Sequence, residues 1–238
     1  MKKLVILSTD TLHHRYFINK ILGQNIVINT CLFETQHVEP KFKVGPLFEE
    51  EELLFEKKHF FKEVKQELKF NNIVSVDTVN SSECLNKLNE IQPDFGIVFG
   101  TGIIKKHIIQ LFKDGLLNVH RGISQEYRGL DSDLWAIYHS DYENLGVTIH
   151  KVEETLDTGE IVFEKKMTIV QNIKIHQIRY YTTLLATEMV IEAINNYLAG
   201  RLISHKQGKK GRYYSFMPLA LKKIVADKFH RFSEHIDG

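Results

Sequence analysis

Apolar residues in the first half of the chain fall into short continuous runs, and amphipathic stretches separate them. Leu4 to Ser8 predicts a buried strand, and Leu12 to Leu22 the helix after it. Asn25 to Leu32 is a second strand-like run rich in β-branched residues. From Phe48 to Leu68 the spacing becomes helical, with Leu54, Phe61, Val64 and Leu68 on one face. The acidic start of that stretch, Glu49 to Glu52, suits a helix N-terminus and reads as a solvated charge run. Ile73 to Val76 predicts a short strand, Ser82 the cap of a helix running to Ile91, and Pro93 its end. Phe95 to Gly100 is a continuous apolar strand, Ile103 to Phe112 a helix, and Gly115 precedes the strand Leu116–His120. Strand and helix alternating in this way predict a mostly parallel sheet flanked by helices.

After Trp135 the rhythm changes. The runs GVTIHKVE and EIVFEKKMTI predict two strands joined by a turn at Asp157-Thr158-Gly159. Ile173 to Leu198 predicts a long amphipathic helix ended by Gly200. From Arg201 the chain holds a GKKG turn, an aromatic strand (RYYSF) and, after Pro218, a basic helix. Without repeats or a low-complexity linker, we expect residues 1–200 to form one α/β domain. Residues 201–238 would then be a small C-terminal α+β extension packed on it.

Charge narrows the possible partners. Thirty-one Lys and Arg nearly balance 30 Asp and Glu, which argues against a nucleic-acid-binding surface. No apolar run approaches the roughly 20 residues of a membrane span. The opening MKKLVILSTD reads as a first strand rather than a signal peptide. Cys31 and Cys84 form no pair motif and are expected as reduced, partly buried thiols. The expectation is a cytoplasmic protein.

Several chemistries lack their signatures. The loop after the first strand, STDTLHH, has no glycine for close pyrophosphate approach, and no P-loop occurs. The 12 histidines show no metal-ligand spacing, so no metal is expected, and no G-x-S-x-G elbow appears. What remains is Asn118, His120 and Asp157. Asn118 and His120 are two apart in a strand, so both side chains point to one side. They fall at the carboxyl end of that strand, where open α/β sheets bind ligands. Gly159 permits a positive φ in the turn that would bring Asp157 toward them. A carboxylate beside a histidine orients it and favours the imidazolium. Read alone, the same three residues would also serve as turn formers and a satisfied polar histidine.

From Phe99 to Val162 the chain resembles the catalytic core of the folate-dependent formyltransferases. The matching motifs are Asn118-Val119-His120, Tyr127-Arg128-Gly129, Trp135-Ala136, Gly146-Val147-Thr148 with His150, and Asp157-Thr158-Gly159-Glu160-Ile161. The resemblance implies a Rossmann-like formyltransferase fold and 10-formyltetrahydrofolate as co-substrate, with a primary amine as acceptor. It implies that Asn118 and protonated His120 stabilise the oxyanion, while Asp157 keeps His120 charged and helps remove the amine's proton. It also implies that the loop Gly100–Ile104, with Gly102 and Ile104, and the turn Glu154–Leu156, with Glu154 and Leu156, line a pterin pocket.

The chain departs from the family at Arg121-Gly122-Ile123-Ser124-Gln125, where many members carry P-S-L-L-P. That loop shapes the acceptor side, where Arg121, Tyr127 and Arg128 are the expected substrate residues. Surface or structural pairing of the arginines is an open alternative. His150 is expected to hold a structural place on its strand, and Trp135 to lie in the core. Only some 38 residues follow Gly200, and the charge is near zero, which disfavours a tRNA acceptor. The YRG and WAI motifs and the GKKGRYYSFMP tail look more like the sugar N-formyltransferases of bacterial polysaccharide pathways. The acceptor expected from that likeness is a dTDP- or UDP-linked amino-deoxysugar, and the enzyme a homodimer. In this reading Tyr213, Tyr214 and Phe216 stack on a base, seal a dimer contact or pack in the core. The alternatives are a glycinamide ribonucleotide formyltransferase, a formyltetrahydrofolate hydrolase, or a non-catalytic folate- or nucleotide-sugar-binding module.

Overall fold

The computed structural model describes residues 2–36, 39–62, 67, 68 and 70–236. Seven strands form one sheet: β1 (Leu4–Ser8), β2 (Thr30–Glu34), β3 (Ile73–Val76), β4 (Phe95–Phe99), β5 (Leu116–His120), β7 (Gly146–Lys151) and β8 (Ile161–Lys166). Their spatial order is β3-β2-β1-β4-β5-β7-β8. The first five are mutually parallel, whereas β7 runs antiparallel to both β5 and β8. Strands β1, β2 and β4 are buried along their whole length. That is why they read as continuous apolar runs: helices cover both faces of the sheet.

Helix α1 (Leu12–Leu22) and helix α6 (Ile178–Leu198) cover one face. The core between them holds Phe17, Phe95, Val190 and Ile194. On the other face, helix α3 (Ser82–Ile91) and the short helix α4 (Lys106–Ile109) enclose Leu7, Leu88, Ile108 and Leu116. Both cysteines are buried as free thiols. A third cluster joins helix α5 (Ser132–Tyr138) to the C-terminal helix α7 (Leu219–Glu234) through Ile137, Met217, Val225 and Phe229. A two-stranded ribbon stands apart from the main sheet, with β6 (Tyr127–Gly129) parallel to β9 (Arg212–Tyr214).

Where elements differ from expectation, a side chain has captured backbone that the pattern assigned to a helix or strand. The second strand begins at Thr30 rather than Asn25, because the Asn29 amide accepts the Leu4 N–H before the ladder starts. Ser81, not Ser82, caps α3 by accepting the Cys84 N–H. The helix expected over Ile103–Phe112 shrinks to α4. Asn80 takes the Ile103 carbonyl (2.8 Å) and the Lys105 N–H (2.8 Å), so neither joins a helical ladder. Helix α6 starts at Ile178, after a single 3₁₀ turn at Ile175–Gln177.

Helix α2 (Glu49–Phe60) is the largest departure. It ends before Phe61, and Leu53 and Leu54 face solvent. Val64, assigned to its apolar face, lies outside the described residues. Instead of a solvated acidic run, Glu52 and Glu56 are buried and share Arg179 of α6, with Glu56 held bidentately at 2.6 and 2.9 Å. Glu49 pairs with Lys222 of α7. One guanidinium between two buried carboxylates sets which face of α2 turns inward. Burial pushes the Glu52 carboxyl up to about 7, even with Arg179 beside it.

Candidate active site

Strand β5 delivers Asn118 and His120 to its carboxyl end, and the antiparallel register with β7 sets Asn118 opposite His150. The turn after β7 brings Asp157 between them. Gly159 is needed there for a reason other than φ: a Cβ on it would stand 1.8 Å from the Lys151 carbonyl oxygen. Asp157 itself takes the left-handed conformation, with φ 54°.

The Asp157 carboxylate is the hub of the site. Its Oδ2 lies 3.5 Å from His120 Nδ1 and accepts the Gly129 N–H at 2.8 Å. Its Oδ1 lies 3.3 Å from both Asn118 Nδ2 and His150 Nε2. Asp157, His120 and His150 are only 4%, 6% and 2% exposed. Burial by itself would raise the Asp157 carboxyl, but the His120 charge, His150 and the Gly129 N–H outweigh it. They hold the group well below the usual carboxylate range, so it stays ionised.

The imidazoles are oriented by carbonyls that can only accept. His120 Nε2 donates to Tyr127 O at 2.7 Å, which leaves Nδ1 as the nitrogen facing Asp157. His150 Nδ1 donates to Lys151 O at 2.8 Å, so Nε2 faces Asn118 Nδ2 at 3.2 Å. The ionised carboxylate thus faces His120 Nδ1 and fixes the orientation of the ring beside it.

These residues form the floor of a cavity of about 1030 Å³ at the carboxyl ends of the strands. The loop Gly100–Ile104 lines one side, including Gly102 and Ile104, and Leu156 lines it from the Asp157 turn. Glu34, at the end of β2, reaches under that loop and accepts the Gly102 N–H (2.6 Å) and the Val79 N–H (2.9 Å). His13 and His14 on α1 also line the cavity, and burial holds both imidazoles well below their ordinary value. Two buried polar atoms at its wall, His14 Nε2 and Ser132 Oγ, have no hydrogen-bond partner among the described residues.

The other sequence-predicted residues are distributed unevenly. Arg121 reaches the cavity and has no hydrogen-bond or ion-pair partner among the described residues. Glu154 lies outside the lining, exposed and paired with Lys106 at 2.7 Å. Tyr127 turns away and donates to Asp141 at 2.9 Å. Arg128 spends its donors on two carbonyls, Gly211 O and Leu156 O. Tyr213 and Phe216 line the cavity, whereas Tyr214 packs inward on Trp135, with ring centroids 4.8 Å apart. Trp135 is half-buried and donates to Ser215 O.

Expected to hold only a structural place on its strand, His150 contacts the central carboxylate. Its register opposite Asn118 was the available signal, visible once β5 and β7 are paired antiparallel. Glu34, an acid closing an apolar strand, was legible in the same way. Gly129 was legible as part of the Tyr127-Arg128-Gly129 motif, but the bond from its N–H to Asp157 was not.

The family pattern described as formyl transferase matches residues 44–194 of this chain. A methionyl-tRNA formyltransferase of Finegoldia magna is 29% identical over 127 residues, which cover 53% of this chain and 41% of that protein. The chain spans about half the length of the curated relatives it matches. Among solved structures, a sugar N-formyltransferase from Shewanella has a TM-score of 0.63 at 14% identity, over 90% of this chain and 76% of that one. The formyltransferase PseJ from Anoxybacillus kamchatkensis was solved with UDP-4,6-dideoxy-4-formamido-L-AltNAc and tetrahydrofolate. It has a TM-score of 0.56 at 20% identity, over 93% of this chain and 88% of that one. The fold is therefore the Rossmann-like fold of those enzymes, and, with more than half of its residues inside the matching pattern, the chain belongs to the formyl transferase family.

Proposed function

We propose that this chain is a folate-dependent N-formyltransferase. It moves a formyl group from 10-formyltetrahydrofolate to the primary amine of a nucleotide-linked amino-deoxysugar. The observation that carries the reading is the buried Asp157 carboxylate, contacted by Asn118, His120 and His150 on the floor of one large cavity.

The cavity suits the donor. Its volume of about 1030 Å³ sits at the upper end of small-molecule sites. The glycine-containing loop at Gly100–Ile104 offers backbone groups to a polar heterocycle edge, with Leu156 opposite. The bound donor supplies an electrophilic one-carbon unit. His120 Nδ1 and Asn118 Nδ2, which face Asp157 in this structure, are the groups that would share an N–H with its carbonyl oxygen as negative charge builds there. The ionised Asp157 orients the imidazole, and a neighbouring carboxylate–imidazole pair can carry off the amine's proton. The chemistry requires no covalent intermediate on this chain.

The acceptor reading rests on other residues of the same lining. Tyr213 and Phe216 offer aromatic faces, and Ser132 and Arg121 offer a hydroxyl and a guanidinium that make no hydrogen bond or ion pair among the described residues. A base, a hydroxylated ring and a phosphate or carboxylate would use these groups in turn. The solved structures of similar fold that act on sugars support this choice, while the names of the curated relatives favour methionyl-tRNA as a second reading. Purified protein with 10-formyltetrahydrofolate should be offered dTDP- and UDP-linked amino-deoxysugars, glycinamide ribonucleotide, methionyl-tRNA, and no acceptor. We expect formamide product from a sugar nucleotide. Turnover of only another acceptor, or donor hydrolysis alone, would overturn the sugar assignment.

A further inference from the structure

Asp157 takes the left-handed conformation, which costs Asp less than most residues but more than Gly, and groups around the turn hold it there. Within the turn itself, the side-chain bond present is Thr158 Oγ1 to Thr155 O (3.0 Å), which does not touch Asp157. The restraint comes from far along the chain. Gln207 Nε2 donates to both Asp157 O and Gly159 O, each at 2.9 Å. Arg128 donates from Nη1 to Leu156 O (2.9 Å) and from Nε to Gly211 O (2.7 Å). His205 pairs with Ile161 in both directions, and Ser204 donates to Glu160 at 2.7 Å.

The inner side of the turn is tied to the same segment through β6. Gly129 N donates to Asp157 Oδ2, and Tyr127 O receives His120 Nε2. Strand β6 has β9 as its ladder partner. A Cβ on Gly129 would stand 2.0 Å from Tyr214 O, so the two backbones meet without space between them. The catalytic carboxylate and imidazole are both anchored by residues 204–214, which lie beyond the family-matched segment.

We infer that Gln207 and Arg128 are positioning residues for the Asp157 carboxylate, and that the segment after α6 is a working part of the active site. The inference rests on the formyl-transfer reading only for the role of Asp157. The brace itself is geometric. Gln207 serves because two carbonyl oxygens must be met by one NH₂ group, which a carboxylate or a short side chain cannot supply. Arg128 serves because its rigid fork spans two carbonyls on different segments, which a lysine ammonium does not.

The test compares Gln207→Ala, Gln207→Glu and Arg128→Lys with wild type in the full-length protein. We expect Gln207→Ala to lower kcat by about tenfold to a hundredfold, with KM for donor and acceptor within about twofold. Gln207→Glu should fall further, because its oxygens oppose two carbonyls, and Arg128→Lys should retain more activity than either. Hydrogen exchange followed by mass spectrometry supplies a readout independent of turnover. Peptides spanning residues 152–162 should exchange faster in Gln207→Ala, while peptides from β1 and β4 keep wild-type protection. Unchanged exchange at 152–162, unchanged kcat, or uniform loss of protection across the sheet would overturn the inference. If wild type formylates no amine, the formyl-transfer reading fails, while the exchange comparison still decides the brace.

Discussion

The two walls of the cavity are built by different means. On one side the Gly100–Ile104 loop follows a parallel strand and is held by neighbours at the same sheet edge: Glu34 beneath Gly102, and Asn80 across Ile103 and Lys105. On the other side the Asp157 turn follows an antiparallel strand and depends on Gln207, Arg128 and a ribbon outside the sheet. The first wall comes with the architecture, because an open α/β sheet ends its strands in a row of loops. The second must be assembled from distant segments. The groups we propose to react stand at the seam, with His120 from the parallel side and Asp157 from the assembled side.

The sharpest way to break this comparison is at the seam. His120→Ala should lower kcat for formyl transfer by about a thousandfold, since it removes both a donor to developing charge and a proton carrier. Single-turnover measurement of the formamide product would show it, and activity within tenfold of wild type would move the chemistry elsewhere. On the architectural wall, Glu34→Gln replaces one of two acceptors with an N–H donor that faces a backbone N–H. KM for the formyl donor should rise about tenfold with kcat nearly unchanged, the reverse of the split expected for Gln207→Ala. A fall in kcat alone would show that the two walls do not divide the work.

The smallest effect concerns pH. Burial first, and then the nearby positive charges of Arg121 and Arg179, keep His13 and His14 neutral in the fold. Their folded affinity for protons lies below the ordinary value near 6.5, so the unfolded chain binds protons that the fold refuses. Stability is complete above about pH 6.5 and declines as pH falls below it, by up to about 1.4 kcal/mol per pH unit for each imidazole. Urea unfolding between pH 7.5 and 5.5 should show this slope, and His13→Gln with His14→Gln should flatten it. A slope unchanged by both substitutions would assign it to other groups.

Strands β1, β4 and β5 were legible because burial on both faces leaves a continuous apolar run that few side-chain contacts disturb. Leu4–Ser8, Leu12–Leu22, Ile73–Val76 and Leu116–His120 needed nothing beyond local pattern. Asn118 and His120 were legible because alternation along a strand puts both on one side. The identity of Asp157 as their partner came from motif likeness, since nothing local says where a turn 37 residues beyond His120 will land.

Tertiary structure alone decided the rest. Leu54 was turned outward and Glu52 and Glu56 inward by a guanidinium more than a hundred residues away, a pairing invisible to helical periodicity. Arg128, an expected substrate residue, was drawn onto two carbonyls, while Gln207, with no motif around it, came to hold the turn that carries Asp157. Periodicity reports which side of an element avoids water. Which buried polar groups satisfy one another is set by segments that meet only after folding.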